Sequence, residues 1–484
     1  MAGYVGDLVD SLVDAGCSVA VVSAGHVYTP SLLGGRQSVG RCRAEETKPR
    51  GSVRRFQVMN SPILAPSLWQ FGEPEAEITS RPVERAFRQV CQAFKPDIVH
   101  VHGFEGFGAG IVGVARRLGI KVVASIHNYH PFCPQVYLLR GRRRPCEDYD
   151  GGQACETCDT GIDIEAERRR RASGRGRPPS IKPPGRAPMI TFAENGEPAS
   201  ESLGIEKLVH PLWTPIDDGL PDAEASKLVS GRYGQRRSAY AAALNQCAAV
   251  LAVSVATAEI CSRMGVDEDR IIVDHIGSWA AAVPADRRPK APESDTPLRL
   301  TFLGFGSYPK GLGVLCDALL LLPRDARARV ALSVHGPGIA EDMARLDAIQ
   351  SDLAETHQGD PYAREDVVRL LDGLHAAVVP SVWHDNGPQT AIEARALGVP
   401  VIGSRIGGIP DIIADGVDGV LFRANDRADL ARMIARLVSH PGDLGRLRSS
   451  IRPWITMSQH ADSVLRVYER ALLSRAGSGD TERV

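Results

Sequence analysis

Two carboxylates, Asp385 and Glu393, stand eight positions apart around the predicted start of a helix. The apolar run 377–379 before them indicates a buried strand, and the residues between them and Gly398 include good helix formers. A carboxylate within the first turns of such a helix can accept hydrogen bonds from the hydroxyl groups of a ribose. In the alternative interpretation, Asp385 caps the helix and Glu393 is a solvated helix residue, and the spacing alone does not choose between the two.

The start of this predicted helix is a candidate anion site. Pro388 suits its first turn, with Asn386 or Gly387 as the predicted capping residue. The first backbone N–H groups of a helix have no partner within it, and the helix dipole adds to their attraction for a phosphate. The sequence therefore predicts a phosphate-binding loop between a buried strand and a helix.

Two histidines, His102 and His127, stand at the carboxyl ends of predicted strands. The strand 95–103, which ends in a glycine turn, and the strand 121–126 alternate with a helix at 111–118, which is typical of a parallel sheet whose ligands gather at the strand ends. A histidine in such a place is either a structural hydrogen-bonding residue or part of a ligand site. The residues alone leave both interpretations open.

Four cysteines fall within 26 positions, at Cys133, Cys146, Cys155 and Cys158. Four thiolates that include one C-x2-C pair can form a tetrahedral zinc site. Free thiols are the main alternative interpretation. Disulfides are the least favoured, because ten cysteines scattered over 484 residues fit a reducing cytoplasm better than a disulfide framework.

Composition narrows the class of protein. The formal net charge of -1 gives no global reason to expect nucleic acid as a partner. The chain has no apolar run of ~18 residues, the length that a membrane span requires, and its first residues do not resemble a signal peptide. We therefore expect a soluble cytoplasmic protein with two domains, since 484 residues suffice for two separate cores.

The predicted helices and strands that position these residues fall into two groups. A linker at 281–296, rich in alanine, proline and charged residues, separates them. The predicted domains are residues 1–290 and 297–455, with a terminal helix at 456–475. The stretch 165–188 is rich in arginine, proline and glycine, so we expect a disordered insertion in the first domain, either a solvated linker or a basic loop that contacts anionic lipid. The first elements are a helix at 1–16 and a strand at 17–23, so the first strand and glycine-rich loop of a doubly wound domain are expected to be missing.

The stretch from Pro380 to Ile413 resembles the nucleotide-sugar site of the family 4 glycosyltransferases, a family with the GT-B fold. The residues PSVWHDNGPQTAIEARALGVPVIGS match the family pattern at many points. The family signature Glu-x7-Glu appears as Asp385-x7-Glu393, with a shorter first carboxylate. The resemblance extends over most of the chain and implies two Rossmann-like α/β domains that face each other across a cleft. Some family members also have a cysteine cluster after a His-x-Tyr segment, as here.

The resemblance also implies roles for individual residues. Asp385 is expected to hold hydroxyl groups of the donor sugar, Glu393 the nucleotide ribose, and Lys310 the leaving diphosphate. His127 is expected to bind the transferring sugar or to orient an acceptor hydroxyl. Phe305 stands where the family usually has an arginine. The remaining predicted contacts of the nucleotide sugar are Gly336, Gly387, Pro388, Gln389 and Thr390.

The implied function is that of a retaining glycosyltransferase, which moves a sugar from a nucleotide diphospho-sugar to a hydroxyl acceptor such as a polysaccharide, a glycolipid or a small glycoside. No cofactor is expected for catalysis, and the expected partners are the donor, a glycan or lipid-linked acceptor and, through the basic insertion, the inner membrane face. A degenerate protein that binds a nucleotide sugar or glycan without transfer is the alternative. A GT-B epimerase or phosphorylase fits the stretch 383–404 less well.

Overall fold

The computed structural model describes residues 2–24, 42–63, 65, 71–140, 144–146, 150–158, 231–293, 296–304, 308–336 and 338–473. These residues form two α/β domains, as predicted, each built around parallel strands. The predicted insertion 165–188 and Phe305 lie outside the described residues. None of the described helices has the length and apolar composition needed to cross a membrane.

The strands of the first domain form two sheets and a small hairpin. The first sheet has the order β1-β3-β2, and the second is fully parallel with the order β4-β5-β8-β9. Within the described residues, β1 and β4 each have a hydrogen-bonded strand on one side alone. The strands are β1 (Ala20–Ala24), β2 (Arg43–Arg50), β3 (Val53–Met59), β4 (Ile98–Val101), β5 (Lys121–Ile126), β6 (Leu139–Arg140), β7 (Arg144–Pro145), β8 (Ala249–Ala252) and β9 (Ile271–Val273).

The helices of this domain cover its parallel strands. The helix with the clearest apolar face, at 81–94, buries valine, alanine and phenylalanine side chains against the core and ends at Lys95 in a left-handed conformation. The helices are α1 (Ala2–Asp14), α2 (Arg81–Phe94), α3 (Gly110–Arg117), α4 (Gln153–Glu156), α5 (Gly231–Leu244) and α6 (Val255–Arg263).

The second domain contains one parallel sheet of six strands in the order β12-β11-β10-β13-β14-β15. Of the central strands, 376–379 and 401–404 are buried along their whole length, and 298–303 is buried except at Arg299, as expected for the interior of a parallel sheet. The strands are β10 (Leu298–Leu303), β11 (Val330–His335), β12 (Glu355–Gly359), β13 (Ala376–Val379), β14 (Val401–Ser404) and β15 (Gly419–Phe422).

The helices of the second domain flank this sheet, and the last one packs against α1 and β5 of the first domain. The sequence predicts Asp426 as the N-cap of a helix that runs to Val438, and this is confirmed, because its side chain accepts a hydrogen bond from the backbone N–H of Asp429 at 2.9 Å. The helices are α7 (Leu312–Leu320), α8 (Arg324–Arg327), α9 (Ala340–Ile349), α10 (Val367–Leu370), α11 (Gln389–Ala396), α12 (Ile409–Ile412), α13 (Arg427–Ser439), α14 (Gly442–Ser449) and α15 (Met457–Leu473).

Candidate active site

The strand, loop and helix predicted around Asp385 are present as β13, the loop 380–388 and α11. The predicted cap of the helix is wrong. Pro388 is itself the capping residue, with an extended backbone, and no side chain caps α11. Asn386 instead donates a hydrogen bond from Nδ2 to Oγ1 of Thr257 in the first domain at 3.3 Å. A contact between domains has thus displaced the local capping preference on which the prediction rested.

Lys310 and Asp385 meet at the carboxyl end of the sheet in the second domain. The Lys310 ammonium donates to Oδ2 of Asp385 at 2.9 Å, and the hydroxyl of Ser381 donates to the same oxygen at 3.1 Å. Asp385 is buried, whereas about a third of the Lys310 side chain is exposed. Asp385 therefore does not cap the helix, and its carboxylate is held beside a cation that can still reach a ligand.

A glycine brings Lys310 this close to the loop after β13. Gly311 has a φ of +77°, and a Cβ atom built on it would lie 1.9 Å from the carbonyl oxygen of Pro380. The backbone N–H of Val382 donates to the carbonyl oxygen of Pro309 at 3.0 Å, which joins the two loops. Any side chain at position 311 would push the lysine loop away from Asp385.

Glu393 lies in the second turn of α11 and is partly buried. Its Oε1 accepts a hydrogen bond from the indole Nε1 of Trp279 at 2.8 Å. Burial raises the pKa of Glu393 above its usual value, and the Trp279 hydrogen bond and the nearby Arg364 only partly oppose that rise. Glu393 is therefore not a solvated helix residue.

A cavity of about 130 Å³ lies beside Glu393, between the two domains. Gln389 and Glu393 of α11 line it on one side, and Tyr4 of α1 lines it on another. Arg364, also in its wall, forms an ion pair with Asp7 of α1 at 2.6 Å. The first turns of α1 thus face the predicted ribose-binding carboxylate.

His127 lies on the first-domain side of this region, at the end of β5. A hydrogen bond of 3.0 Å joins its Nε2 to Nδ1 of His102, and its ring lies 4.8 Å from the ring of Tyr4. Burial, together with the neighbouring His102, lowers the pKa of His127 well below its usual value, so the ring is neutral at neutral pH. Tyr4 connects His127 with the cavity beside Glu393, but no direct contact joins His127 to Lys310.

Gly336 lies at the end of β11, at the same edge of the sheet as Lys310 and the loop after β13. Its φ is +112°, and its N–H donates to the carbonyl oxygen of Gly359 at 3.4 Å. The ends of β10, β11 and β13 meet here because these strands are neighbours and parallel. The structure therefore gathers all the predicted second-domain residues along one edge of one sheet.

Two side chains of the loop after β13 each bury a polar atom for which the described residues offer no hydrogen-bond partner. These atoms are the indole Nε1 of Trp383 and the side-chain oxygen Oδ1 of Asn386. Both side chains are about 95% withdrawn from solvent. An unpaired buried polar atom is costly, so a ligand or water that supplies the missing partner would stabilise this loop.

A larger groove of about 980 Å³ also lies between the domains. Glu259 and Arg263 of α6 line it from the first domain, and His384 and Arg405 line it from the second. The groove is joined to the site through His384, the neighbour of Asp385 in the chain. Its size is within the range of ordinary ligand pockets, about 300–1,000 Å³.

The four clustered cysteines come together in the first domain. Cys133, Cys155 and Cys158 each lie close enough to Cys146 to raise the pKa of its thiol, although burial is the larger cause. In the described part of the chain, however, no three His, Cys, Asp or Glu side chains are placed to hold a metal ion. The structure does not support the predicted zinc site.

Sequence reasoning missed two residues of the site, Trp279 and Arg364. Neither belongs to a motif, and each is far in the chain from Glu393. The aromatic ring of Trp279 lies 4.8 Å from the Arg364 guanidinium. A tryptophan just before a linker rich in alanine and proline was the one available signal, because a large side chain there must pack against something.

Comparison with known proteins agrees with this geometry. Residues 1–154 match the family model described as a glycosyl transferase 4-like domain, and residues 285–453 match the model described as glycosyl transferases group 1. The chain belongs to the family 4 glycosyltransferases. The first match falls within the first domain, and the second covers the second domain and begins within the linker 281–296.

Curated relatives include two D-inositol 3-phosphate glycosyltransferases. The protein from Nocardiopsis dassonvillei is 32% identical over 37% of this chain and 44% of its own length. The protein from Mycolicibacterium vanbaalenii is 31% identical over 43% of this chain and 49% of its own length. The chain spans about half the length of the curated relatives that it matches.

Among solved structures, the sucrose-phosphate synthase from Thermosynechococcus elongatus aligns with a TM-score of 0.54 at 15% sequence identity. The alignment covers 96% of this chain and 92% of the synthase. At this identity the likeness establishes the fold alone, which is GT-B, as the sequence predicts.

Proposed function

We propose that this protein is a retaining glycosyltransferase that moves a sugar from a nucleotide diphospho-sugar to a hydroxyl acceptor. The observation that carries the proposal is the Lys310–Asp385 pair, held at 2.9 Å beside the start of α11. A cation, a helix N-terminus and a carboxylate at one sheet edge supply the charges that such a donor requires.

The diphosphate is the leaving group, so its growing negative charge needs fixed donors in the transition state. An ammonium group has three N–H donors, so Lys310 can keep its bond to Asp385 and direct the others at the diphosphate. The first backbone N–H groups of α11, at Gln389 and Thr390, add uncharged donors. The chain thus offers stabilisation of the leaving group from its own residues.

The remaining roles follow the same geometry. Asp385 receives donor sugar hydroxyls, aided by Asn386 and Trp383, whose unpaired buried atoms offer one acceptor and one donor. Glu393 accepts hydrogen bonds from the ribose. The acceptor hydroxyl approaches on the face of the leaving group. A bond forms between its oxygen and the anomeric carbon, the bond from that carbon to the diphosphate oxygen breaks, and the hydroxyl proton passes to the departing diphosphate.

The acceptor is proposed to occupy the first-domain side of the cleft. His127 is neutral, so it can accept or donate a hydrogen bond to a sugar hydroxyl. The relatives named above carry a phosphorylated polyol, D-inositol 3-phosphate, in their names. Arg263 and Arg405 line the larger groove and can pair with the phosphate of such an acceptor, and Glu259 and Glu268 line the same groove.

A binding protein without transferase activity is the alternative. The observation that favours it is the shortened carboxylate of Asp385, which is engaged by Lys310 and Ser381. In that case the donor would bind, but the diphosphate would leave no faster than in water.

Release of nucleoside diphosphate, measured with UDP-, GDP- and ADP-glucose as donors, separates the two functions. We expect release that depends on one donor, and we expect Lys310→Ala and Glu393→Ala each to reduce it tenfold or more, the loss of about one transition-state donor. Lys290→Ala, which removes an exposed lysine at the domain connection, is the control and should leave release unchanged. Unchanged release in both site variants would refute the assignment, and donor binding without release would establish the alternative.

A further inference from the structure

Trp279 donates a hydrogen bond to Glu393, and it belongs to the segment 276–296 that leads from the first domain through the linker to the second, here called the connection. It begins the short 3₁₀ turn Trp279–Ala282, which Ser278 caps by accepting a hydrogen bond from the N–H of Ala280 at 3.2 Å. The indole N–H points to Oε1 of Glu393 across 114 positions of sequence. A contact of this kind cannot arise from local helix or turn formation.

The connection that carries Trp279 is itself held in place. Trp454, just before α15, donates from Nε1 to the carbonyl oxygen of Ile276 at 2.9 Å, and the N–H of Ser278 donates to the carbonyl oxygen of Ile455 at 3.1 Å. On its other side, the Trp279 ring stacks with the Arg364 guanidinium, which Asp7 anchors. Trp279 thus has restricted freedom before any ligand is present.

A restrained partner matters for Glu393 because the last torsion of a glutamate is broad and leaves the carboxylate free to rotate. The Trp279 hydrogen bond engages Oε1 and thereby orients Oε2. Glu393 lines the cavity of about 130 Å³ between the domains. Its second oxygen, Oε2, can accept hydrogen bonds from a ligand in that cavity. A carboxylate can bind two neighbouring ribose hydroxyl groups at once when its plane is fixed in the right orientation.

We propose that Trp279 is a positioning residue for donor binding: it orients the Glu393 carboxylate toward the ribose of the nucleotide. The inference rests on the proposed function, since it deepens the role given there to Glu393. It also makes the ribose contact depend on the connection between the domains, because Trp279 moves with that connection and Glu393 with the second domain.

The test is the affinity of the full chain for a nucleoside diphosphate by isothermal titration calorimetry. UDP, GDP and ADP are the probes, and the one that binds best is compared with its 2′,3′-dideoxy form. Trp279→Phe keeps a ring for Arg364 to stack on, and it removes the N–H donor together with part of the ring area. We expect it to weaken binding of the diphosphate about 3- to 10-fold, the effect of one hydrogen bond, and to leave binding of the dideoxy form unchanged.

Tyr233→Phe is the matched control. Tyr233 is also a buried aromatic residue that donates one hydrogen bond and lies 5.9 Å from an arginine guanidinium, that of Arg232, but its partner is the backbone carbonyl of Phe71 in the first domain. It should leave both affinities unchanged. Glu393→Gln should weaken binding of the diphosphate, and the double variant Trp279→Phe/Glu393→Gln should bind no worse than Glu393→Gln alone, because the two residues act through one contact.

The outcomes separate the two proposals. If Glu393→Gln binds every diphosphate as well as the unchanged protein, the ribose role of Glu393 and the proposed site fail. If Glu393→Gln loses affinity and Trp279→Phe does not, the site stands and the positioning role is wrong. Equal losses for the ribose and dideoxy forms in Trp279→Phe would also overturn it, since the change would then be a general loss of structure.

Discussion

Glu77 and Glu393 are two glutamates withdrawn from water, and their surroundings differ in kind. Glu77, in the first domain, is 1% exposed and bonds Nε2 of His130 at 2.9 Å as well as the Arg236 guanidinium. Arg236 also donates to the carbonyl oxygens of Pro131 and His130. Glu393 has one neutral donor, Trp279, and a nearby but unbonded cation, Arg364.

The difference appears in the pKa of each carboxyl group. Burial alone would raise the pKa of Glu77, but Arg236 and His130 outweigh it and hold that pKa at about 2. For Glu393 burial prevails, and the pKa is raised. At Glu77, cations and hydrogen-bond donors of the protein offset the full cost of burying the negative charge. At Glu393, the proposed ligand-binding residue, they offset only part of that cost, and a bound ligand would supply further donors.

The largest expected effect is on the structural side of this comparison. Arg236→Met leaves the Glu77 charge buried without its main partner, which should lower the free energy of unfolding by about 3–5 kcal/mol. The control is Arg232→Met on the same helix, which removes an exposed ion pair with Glu156 and should cost about 0–1 kcal/mol. The measurement is the urea midpoint of each variant.

A further variant sharpens this result. Glu77→Gln combined with Arg236→Met removes both charges, so it should regain part of the stability that Arg236→Met alone loses. A double variant as unstable as the single one would mean that Arg236 acts through packing and not through compensation of Glu77.

The pH dependence of stability should have opposite signs at the two sites. Because the pKa of Glu77 is about 2 in the folded chain and 4.5 ordinarily, its stabilisation is complete above pH 4.5 and is lost as the pH falls toward 2. The loss is about 3 kcal/mol. Urea midpoints measured from pH 6 to pH 3 for the unchanged protein and the Glu77→Gln/Arg236→Met variant test this, since the variant should lack that dependence. A parallel decline in both would remove Glu77 as the cause.

The smallest expected effect is at Glu393. Its raised pKa means that the ionised carboxylate costs stability at neutral pH, a cost that disappears as the pH falls and the group takes up a proton. Glu393→Gln should therefore raise Tm at pH 7 and gain less at pH 4.5, while its affinity for the nucleoside diphosphate falls. A lower Tm of Glu393→Gln at pH 7 would mean that the Glu393 carboxylate stabilises the fold, as the Glu77 carboxylate does, and the contrast between the two residues would be wrong.

The sequence by itself determined the fold class, the strand–loop–helix unit around Asp385 and the capping of a helix by Asp426. These features depend on residues that are close in the sequence, such as buried apolar runs, helix formers and a capping side chain. They can therefore be predicted from the local sequence. The family resemblance added Lys310 and His127, because the matching motifs lie in continuous stretches of the chain.

Only the tertiary structure decided which partners these residues have. Asn386 does not cap the helix as predicted but donates a hydrogen bond to Thr257, 129 positions away. Glu393 accepts one from Trp279, 114 positions away. The buried Glu77–Arg236 pair joins residues 159 positions apart. No periodicity of 2 or 3.6 residues encodes such distances, because they arise where two folded domains and their connection pack together and each polar group must find a partner out of water.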